Sequence, residues 1–405
     1  PSYRYQRIGL SLFSSITSKV FLQEWVSPSW YISSYFFLLI FATYAGARLL
    51  ARHSIHPAFI LLWSLSVGTQ ITLFNALPDA AADAFLILGA AALLSNRYAL
   101  SVIPLCFAAL SREAYALFPS AVLLLHLLYI LKADNDGAGA GIKRLMAWRA
   151  EYFLVIPGAV TVAWYLYVSS HFGIAPSSQA YGVLGLPLIS WFECLISGLQ
   201  GNHIFVGGGF PAYAEAISLL IFMIVLLIAG SLAIKILISS SKDTSLNIKG
   251  LALGAAVFVV MYISFGMTVI THYTGYFKAL SLFFFLVPLF SAYAWITAKN
   301  YILYLLIISQ ALVTIYNFKV RILPYSNNFD DYTQVSKLMD KADIPCFDEY
   351  KFMADIKSVQ VFSAGTVSKL FGGKDYMVMD VRLTNTGTHD FVSTRGKGSV
   401  HMSYH

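Results

Sequence analysis

Charge is scarce in this sequence. Asp, Glu, Lys and Arg together supply 12% of its 405 residues, whereas soluble domains usually carry about 25%. Hydrophobic residues supply 58%, and the mean hydropathy is +0.68. Because so few polar residues cannot cover a water-soluble surface, we expect a polytopic α-helical membrane protein. The formal net charge of +7 then need not indicate nucleic-acid binding, since basic residues also orient membrane proteins.

Cysteines and recognisable cofactor motifs are sparse as well. Cys106, Cys194 and Cys346 are scattered without disulfide or metal-site spacing, so we expect them to be inert. The sequence contains no P-loop, zinc pattern, haem-attachment motif or nucleophile elbow, and no secretory signal peptide. These absences leave the cofactor unknown, with a divalent metal at carboxylate side chains as an open alternative.

Long apolar runs follow one another through most of the chain and predict about ten transmembrane helices. One run, Tyr98–Leu131, has 34 residues and as a single helix would be about 51 Å long, more than a hydrocarbon core of about 30 Å. We therefore expect a break at Ser111-Arg112-Glu113 that divides it into two short spans. The other predicted spans are Trp30–Leu50, Pro57–Phe74, Pro78–Leu94, Tyr152–Ser170, Tyr213–Leu237, Leu251–Ile270, Tyr276–Ile296 and Tyr301–Phe318.

Basic residues collect on one side when the predicted spans alternate in direction. With the Arg48 end placed in the cytoplasm, the short outer connections hold only Arg112 and Lys278. Lys and Arg are enriched in the cytoplasmic loops of membrane proteins, so we favour this orientation. The predicted cytoplasmic ends hold Arg48, Arg52, Arg97, Lys132, Lys143, Arg144, Arg149, Lys235, Lys242, Lys249 and Lys299.

The two ends of the chain differ from its apolar middle, residues 30–318. In residues 1–29, Ile8, Leu12 and Ile16 recur every four positions, which predicts a short amphipathic helix at the membrane interface. Residues 319–356 indicate a linker and a short helix. In 357–405, alternating apolar and polar residues, clearest in Tyr376–Asn385, predict the first strands of an antiparallel β-sandwich. The predicted fold is therefore a helical membrane domain followed by a small, truncated all-β segment outside the membrane.

Two carboxylates stand at the start of the third predicted span. Asp79 and Asp83 are four residues apart and so share one helix face. One interpretation is that the helix dipole favours carboxylates at this position. The other is that one or both bind a substrate hydroxyl or a metal ion, because ionisable groups in a membrane are costly and mark functional sites. Asp83 is the stronger candidate, since it lies deeper than a capping position.

Two further polar clusters fall on the predicted outer side. Arg112 and Glu113 either pair with neighbouring helices as a structural lock, or Arg112 supplies a fixed cation for a phosphate, whose oxygens match the guanidinium fork. The second cluster consists of His272, Tyr273 and Lys278. It fits an interfacial aromatic belt with a snorkelling lysine, and it also fits a substrate-binding site.

Three segments, 3–8, 77–94 and 108–125, resemble the polytopic bacterial glycosyltransferases of the GT-C type, and the resemblance covers about residues 1–320. It implies transfer of a sugar from a polyprenyl-phosphate-linked donor to a glycan or lipid acceptor on the outer face of the bacterial inner membrane. The last residues resemble the β-sandwich modules that accompany some bacterial surface-polysaccharide proteins. In the glycosyltransferase family, the catalytic carboxylate lies in the first outer loop, just after the first span.

The resemblance implies a mechanism and roles for the candidate residues. Arg112, helped by Lys278, would stabilise the leaving phosphate, and Asp79 or Asp83 would act near the acceptor hydroxyl or a metal, as general base in the first case. Glu113, His272 and Tyr273 would complete the substrate site. Direct displacement by the acceptor would invert the anomeric centre.

Alternatives to sugar transfer remain open. A transporter or flippase of lipid-linked saccharides would suit the lipid substrate, but paired half-repeats typical of transporters are not visible, and a glycan ligase or polymerase is a third interpretation. The chain begins at Pro1 rather than Met, and we expect one more span upstream, followed by an Asp or Glu that serves as base. Without such a residue, Asp83, Asp79 and Glu113 are the plausible bases.

Overall fold

The computed structural model describes residues 7–21, 26–74, 76–132, 149–172, 184–202, 204, 212–239, 245–270 and 280–294, part of 301–310, and the backbone of 352–362 and 376–385. The chain forms two compact units, Pro1–Thr314 and Ile315–His405. In the described residues the first unit is built of helices, and the second contains a pair of strands.

Further helical residues lie in 301–310, and thirteen α-helices of the first unit have both of their ends within the described residues. They are α1 (Gly9–Val20), α2 (Pro28–Arg52), α3 (Leu61–Ser64), α4 (Val67–Phe74), α5 (Asp79–Leu93), α6 (Tyr98–Ser111), α7 (Leu117–Lys132), α8 (Val155–Phe172), α9 (Ile189–Leu199), α10 (Ala212–Ile238), α11 (Leu246–Ile263), α12 (Met267–Ile270) and α13 (Phe283–Tyr293). Short 3-10 turns at Pro57–Ile60, Glu113–Ala116 and Ala150–Leu154 lead into α3, α7 and α8.

Five helical stretches in the described residues are long and apolar enough to cross a membrane. They are Ser29–Arg52, Glu113–Lys132, Ala150–His171, Ala212–Ile238 and Leu246–Ile263. These stretches expose large apolar side chains, such as Phe41 and Leu166. Such exposure is unfavourable in water and favourable in the hydrocarbon core of a bilayer. The chain is thus a membrane-embedded helical protein, while the total of ten spans stays a prediction.

The predicted break in the long apolar run is confirmed. Helix α6 ends at Ser111, and Arg112 has extended backbone angles (φ −147°, ψ 115°) that a helix cannot contain. A 3-10 turn then leads into α7. The break places the side chain of Arg112 at the end of the bundle instead of along a lipid-facing helix.

Two other predicted spans are divided. In Pro57–Phe74, a new helix starts after Ser66, whose hydroxyl accepts a hydrogen bond from the Thr69 N–H at 3.1 Å, as an N-cap residue does. In Leu251–Ile270, helix α11 ends at Ile263. The carbonyls of Ile263 and Ser264 accept hydrogen bonds from the chain that precedes α9, so they are not available for another helical turn.

Side-chain contacts show which helix ends lie together. The end of α2 meets the end of α5 through Arg52 and Ser95, whose Nη1 and Oγ atoms are 3.0 Å apart. The start of α6 and the end of α7 both meet the start of α11 at Asn247. We call this the amide end, defined by Asn96, Tyr98, His126 and Asn247. The predicted cytoplasmic residues Arg52, Arg97, Lys132 and Lys249 lie at or within a turn of these helix ends, as the alternation of spans requires.

Helix α1 confirms the predicted N-terminal helix but turns a different face to the protein. Apart from Leu10, its buried residues are small, namely Gly9, Ser14 and Ser18, and the Ser14 hydroxyl is 2.6 Å from that of Ser34 on α2. The predicted apolar stripe is partly exposed, at Leu12 and Ile16. Leu12 and Ile16 therefore face outward, as expected for a helix that contacts lipid.

The second unit contains two antiparallel strands, β1 (Phe352–Phe362) and β2 (Tyr376–Asn385). Their pairing runs from Phe352 opposite Asn385 to Phe362 opposite Tyr376, with one irregularity between Ile356 and Ser358. The strand predicted at Tyr376–Asn385 is confirmed. The all-β domain itself stays a prediction, and residues 386–405 of the predicted β segment lie outside the described residues.

Candidate functional site

A buried ion pair joins two of the predicted site residues. The Arg112 Nη1 atom lies 2.9 Å from Asp79 Oδ1, and the exposed fractions of the two side chains are 15% and 1%. Asp79 is the first residue of α5, and Arg112 directly follows α6. The structure therefore brings together a carboxylate and a guanidinium that are separated by 33 positions in the sequence, at what we call the ion-pair end, defined by Asp79, Arg112 and Glu113.

Local sequence explains why Asp79 faces this partner. Pro78 precedes α5 without a side-chain cap, and the hydroxyl of Tyr35 on α2 donates to the Leu77 carbonyl at 2.8 Å, which holds the approach to the helix. A carboxylate in the first turn is also favoured by the helix dipole. Dipole and ion pair thus act on the same residue, and the capping and pairing interpretations of Asp79 are compatible.

The charge of Arg112 is maintained by its partner. Burial alone would lower the pKa of the guanidinium, but the neighbouring Asp79 carboxylate outweighs burial, and the pKa lies above its ordinary value. Arg112 is therefore a permanent cation in a largely water-free setting. A cation held in such a setting interacts strongly with any anion that reaches it.

Asp83 lies one turn below the ion pair and is wholly buried. Its Oδ2 atom accepts hydrogen bonds from Trp63 Nε1 at 3.1 Å and from the Ser281 hydroxyl, and its Oδ1 atom accepts one from the Tyr115 hydroxyl. Three donors from distant parts of the chain thus converge on one carboxylate. This arrangement satisfies a buried charge, and it leaves a substrate hydroxyl no route to Asp83 in this conformation.

Glu113 has the most exposed side chain among the four predicted site residues that the structure describes, which are Asp79, Asp83, Arg112 and Glu113. Its side chain is 39% exposed, and its Oε2 atom lies 3.8 Å from Nε of Arg7, whose side chain is 17% exposed. The charges therefore form a series from the rim inward: Glu113, Arg7, Arg112, Asp79 and Asp83. Only the outer part of this series can meet a substrate without displacing protein groups.

Several side chains of the site were not identified from the sequence. Trp63, Tyr115 and Ser281 hold Asp83, and the buried Tyr262 lies close enough to Arg112, Asp79 and Asp83 to interact with their charges. All four are polar-tipped residues inside apolar runs, and that is the one signal that could have drawn attention to them. The signal is weak, because such residues also occur in ordinary membrane helices.

Glu215, in the first turn of α10, was also missed. It is 2% exposed, and its Oε2 atom accepts a hydrogen bond from the Ile204 N–H at 2.8 Å. This carboxylate ties the segment before α10 to the helix. Its geometry fits a role in the fold rather than in a reaction.

The remaining predicted site residues, His272, Tyr273 and Lys278, lie outside the described residues, so their roles stay predictions. Among the residues that the structure describes, no group of three or more His, Cys, Asp or Glu side chains could hold a metal ion. The ion-pair end presents a fixed guanidinium, Arg112, and a partly exposed carboxylate, Glu113.

No protein-family model, no curated protein and no solved structure matches this chain.

Proposed function

We propose that this protein is a membrane glycosyltransferase that moves a sugar from a polyprenyl-phosphate-linked donor to a glycan or lipid acceptor on the outer face of a bacterial inner membrane. The observation that supports the proposal most is the adjacency of two groups at the ion-pair end. Arg112 is a largely buried, fixed cation, and the next residue, Glu113, is a partly exposed carboxylate. Sugar transfer from a phosphate donor needs a cation that stabilises the leaving phosphate and a base that deprotonates the acceptor.

Arg112 suits the leaving phosphate. As the bond between the anomeric carbon and the phosphate oxygen breaks, the phosphate leaves with the electron pair and gains negative charge. A guanidinium held in place beforehand stabilises that charge without reorganisation. Asp79 then acts as a positioning residue, because its carboxylate fixes the guanidinium at the rim.

Glu113 suits the acceptor. A general base must come within hydrogen-bond reach of the hydroxyl that it deprotonates, and the burial of Asp79 and Asp83 makes Glu113 the reachable carboxylate among the three. The acceptor oxygen attacks the anomeric carbon as Glu113 takes its proton, so the configuration inverts. In this proposal Asp83 anchors Trp63, Tyr115 and Ser281 beneath the site.

The lipid part of the donor fits the surroundings of this end. Helix α1 carries exposed apolar residues such as Leu12 and Ile16, and α9 carries Phe192 and Ile196. Helix α9 joins the ion-pair end through Trp191, whose indole N–H donates to the Tyr262 carbonyl at 2.9 Å. Apolar helix faces beside the charges would let a polyprenyl chain remain in lipid while its phosphate reaches the rim.

The decisive experiment replaces Glu113 by Gln in purified protein reconstituted in nanodiscs. With a panel of polyprenyl-phosphate hexoses and pentoses, release of polyprenyl phosphate should fall by about 10² to 10⁴, the usual contribution of a general base. Binding of polyprenyl phosphate itself should change little. Glu193→Gln, an exposed acid on α9, is the matched control and should retain full activity.

Arg112→Lys tests the other half of the site. The variant keeps the charge but loses the planar fork, so we expect weaker binding of polyprenyl phosphate and partial transfer activity. Unchanged transfer in Glu113→Gln would refute the base assignment. A wild-type protein that moves labelled lipid-linked saccharide across liposomes, without any transfer, would refute the glycosyltransferase and favour a flippase.

A further inference from the structure

A groove opens at the amide end, away from the proposed transfer site. It has a volume of about 400 Å³ and lies where the ends of α2 and α5 meet the start of α6. It is lined by Arg52, Leu88, Ala91, Ala92, Ser95, Arg97 and Leu100. Neither the sequence patterns nor the proposed reaction accounts for it.

The lining divides into a basic and an apolar part. Arg52 and Arg97 are both exposed, and among the described residues the lining contains no carboxylate. Arg52 donates one hydrogen bond to Ser95, but a guanidinium has five N–H donors, so most remain for a ligand. Two guanidiniums without a carboxylate partner among the described residues favour an anion at this groove, and phosphate is the anion whose oxygens they match best.

The apolar part continues out of the groove along the lipid-facing side of α6. Leu100 is 55% exposed, and Ile103, one turn further on, is 61% exposed. The two lie three positions apart and so share a face of the helix. A hydrocarbon chain whose head group sat between the arginines would run along this stripe.

We propose that the groove binds an acidic phospholipid, with the head-group phosphate between Arg52 and Arg97 and one acyl chain along Leu100 and Ile103. Basic pockets between helices at the surface of a membrane recognise anionic head groups in this way. The charge of the arginines selects the phosphate, and the apolar stripe selects a lipid over a free anion. Since α2 and α5 end here and α6 begins here, a bound lipid would hold three helices together.

The test measures phosphatidylglycerol binding to the detergent-purified protein by native mass spectrometry, with phosphatidylcholine as the neutral reference. The double variant Arg52→Gln/Arg97→Gln should bind phosphatidylglycerol about 30-fold more weakly, because each basic residue near a membrane surface contributes about 1 kcal/mol. Phosphatidylcholine carries the same phosphate with a choline cation that offsets it, so its binding should be weaker in the wild type and should fall much less in the double variant. Arg48→Gln is the matched control: Arg48 is on the same helix, but its guanidinium packs over the Tyr44 ring, outside the groove.

A second variant separates binding from folding. Arg97→Glu places an acid at the N-terminus of α6, where the helix dipole favours it, so the protein should fold at least as well while it loses phosphatidylglycerol. Three results would overturn the proposal. They are unchanged binding in the double variant, an equal loss in Arg48→Gln, and inorganic phosphate that binds as tightly as the lipid.

Discussion

The two ends of the helix bundle are held together by different chemistry. At the ion-pair end, Asp79 and Arg112 form a buried pair of full charges. At the amide end, Asn247 is equally buried but neutral: its Nδ2 group donates to the Leu93 carbonyl at 2.8 Å and to Asn96 at 3.0 Å. Its Oδ1 atom is hydrogen-bonded to Tyr98 and His126.

This difference separates a structural junction from a candidate site. An amide with all its hydrogen bonds made joins helices without the cost of burying charge. A buried ion pair brings little stability for that cost, so its presence calls for another explanation. Arg52 and Arg97, which lie at the amide end, are exposed at its surface, where a charge keeps its contact with water and costs little free energy.

The largest expected effect concerns the side of the membrane on which each end lies. In a variant without the native cysteines, a single cysteine at Asn202, before α10, should react with a membrane-impermeant thiol reagent in intact cells. A single cysteine at Lys132, at the end of α7, should react only after the cells are opened. The reverse pattern would place the ion-pair end in the cytoplasm and exclude transfer on the outer face.

The next effect concerns the stability of the ion pair. Asp79→Asn leaves Arg112 buried without a countercharge, and loss of one partner from such a pair costs about 3–5 kcal/mol. We expect this loss in the free energy of unfolding in detergent, and partial recovery in Asp79→Asn/Arg112→Gln. Glu113→Gln breaks the more exposed pair with Arg7 and should cost less than about 1 kcal/mol. Equal losses in the two single variants would contradict the inward series of charges.

A smaller effect is expected where α11 approaches α7 beside the amide end. A methyl group added at Gly250 would overlap Val122 Cα, and one at Gly254 would lie 3.1 Å from Phe118 Cα. Because a backbone atom cannot move aside cheaply, Gly250→Ala should destabilise the protein by about 1–3 kcal/mol, seen as a lower melting temperature.

The matched control for this prediction is Gly158→Ala on α8. The nearest atom to its new methyl group, Ser120 Oγ, is 3.8 Å away. Alanine is the better helix former by up to about 1 kcal/mol, so this variant should melt at the same temperature or slightly higher. If both variants raised the melting temperature, the close approach of α7 and α11 would be wrong.

The smallest effect is expected from the amide network itself. Asn247→Leu removes two donated hydrogen bonds and the acceptor of Tyr98 and His126. Interhelical hydrogen bonds in membranes are individually modest, so we expect a loss of about 1–2 kcal/mol in the free energy of unfolding. Asn202→Leu, at an exposed position, should change it by less than about 0.5 kcal/mol. A loss as large as that of Asp79→Asn would remove the contrast between the two ends.

The sequence predictions that the structure confirms rest on two properties, the hydrophobicity of the chain and the length of its apolar runs. The membrane class follows from composition, and the break at Ser111-Arg112-Glu113 follows from the excess length of one apolar run. The divisions of Pro57–Phe74 and Leu251–Ile270 were not predicted. Both depend on hydrogen bonds at single residues, from the Thr69 N–H to the Ser66 hydroxyl and from the chain before α9 to the Ile263 carbonyl. The apolar residues on either side give no sign of these bonds in the sequence.

For the candidate site, the sequence by itself determined which ionisable residues enter the apolar region, because each is a rare exception in a hydrophobic run. Only the tertiary structure decided their partners. The donors to Asp83 come from positions 20, 32 and 198 residues away, and the pairing of Arg112 with Asp79 depends on how α5 and α6 pack. Such contacts arise from the meeting of separate helices, and no periodicity within one helix encodes which of its neighbours will supply the opposite charge.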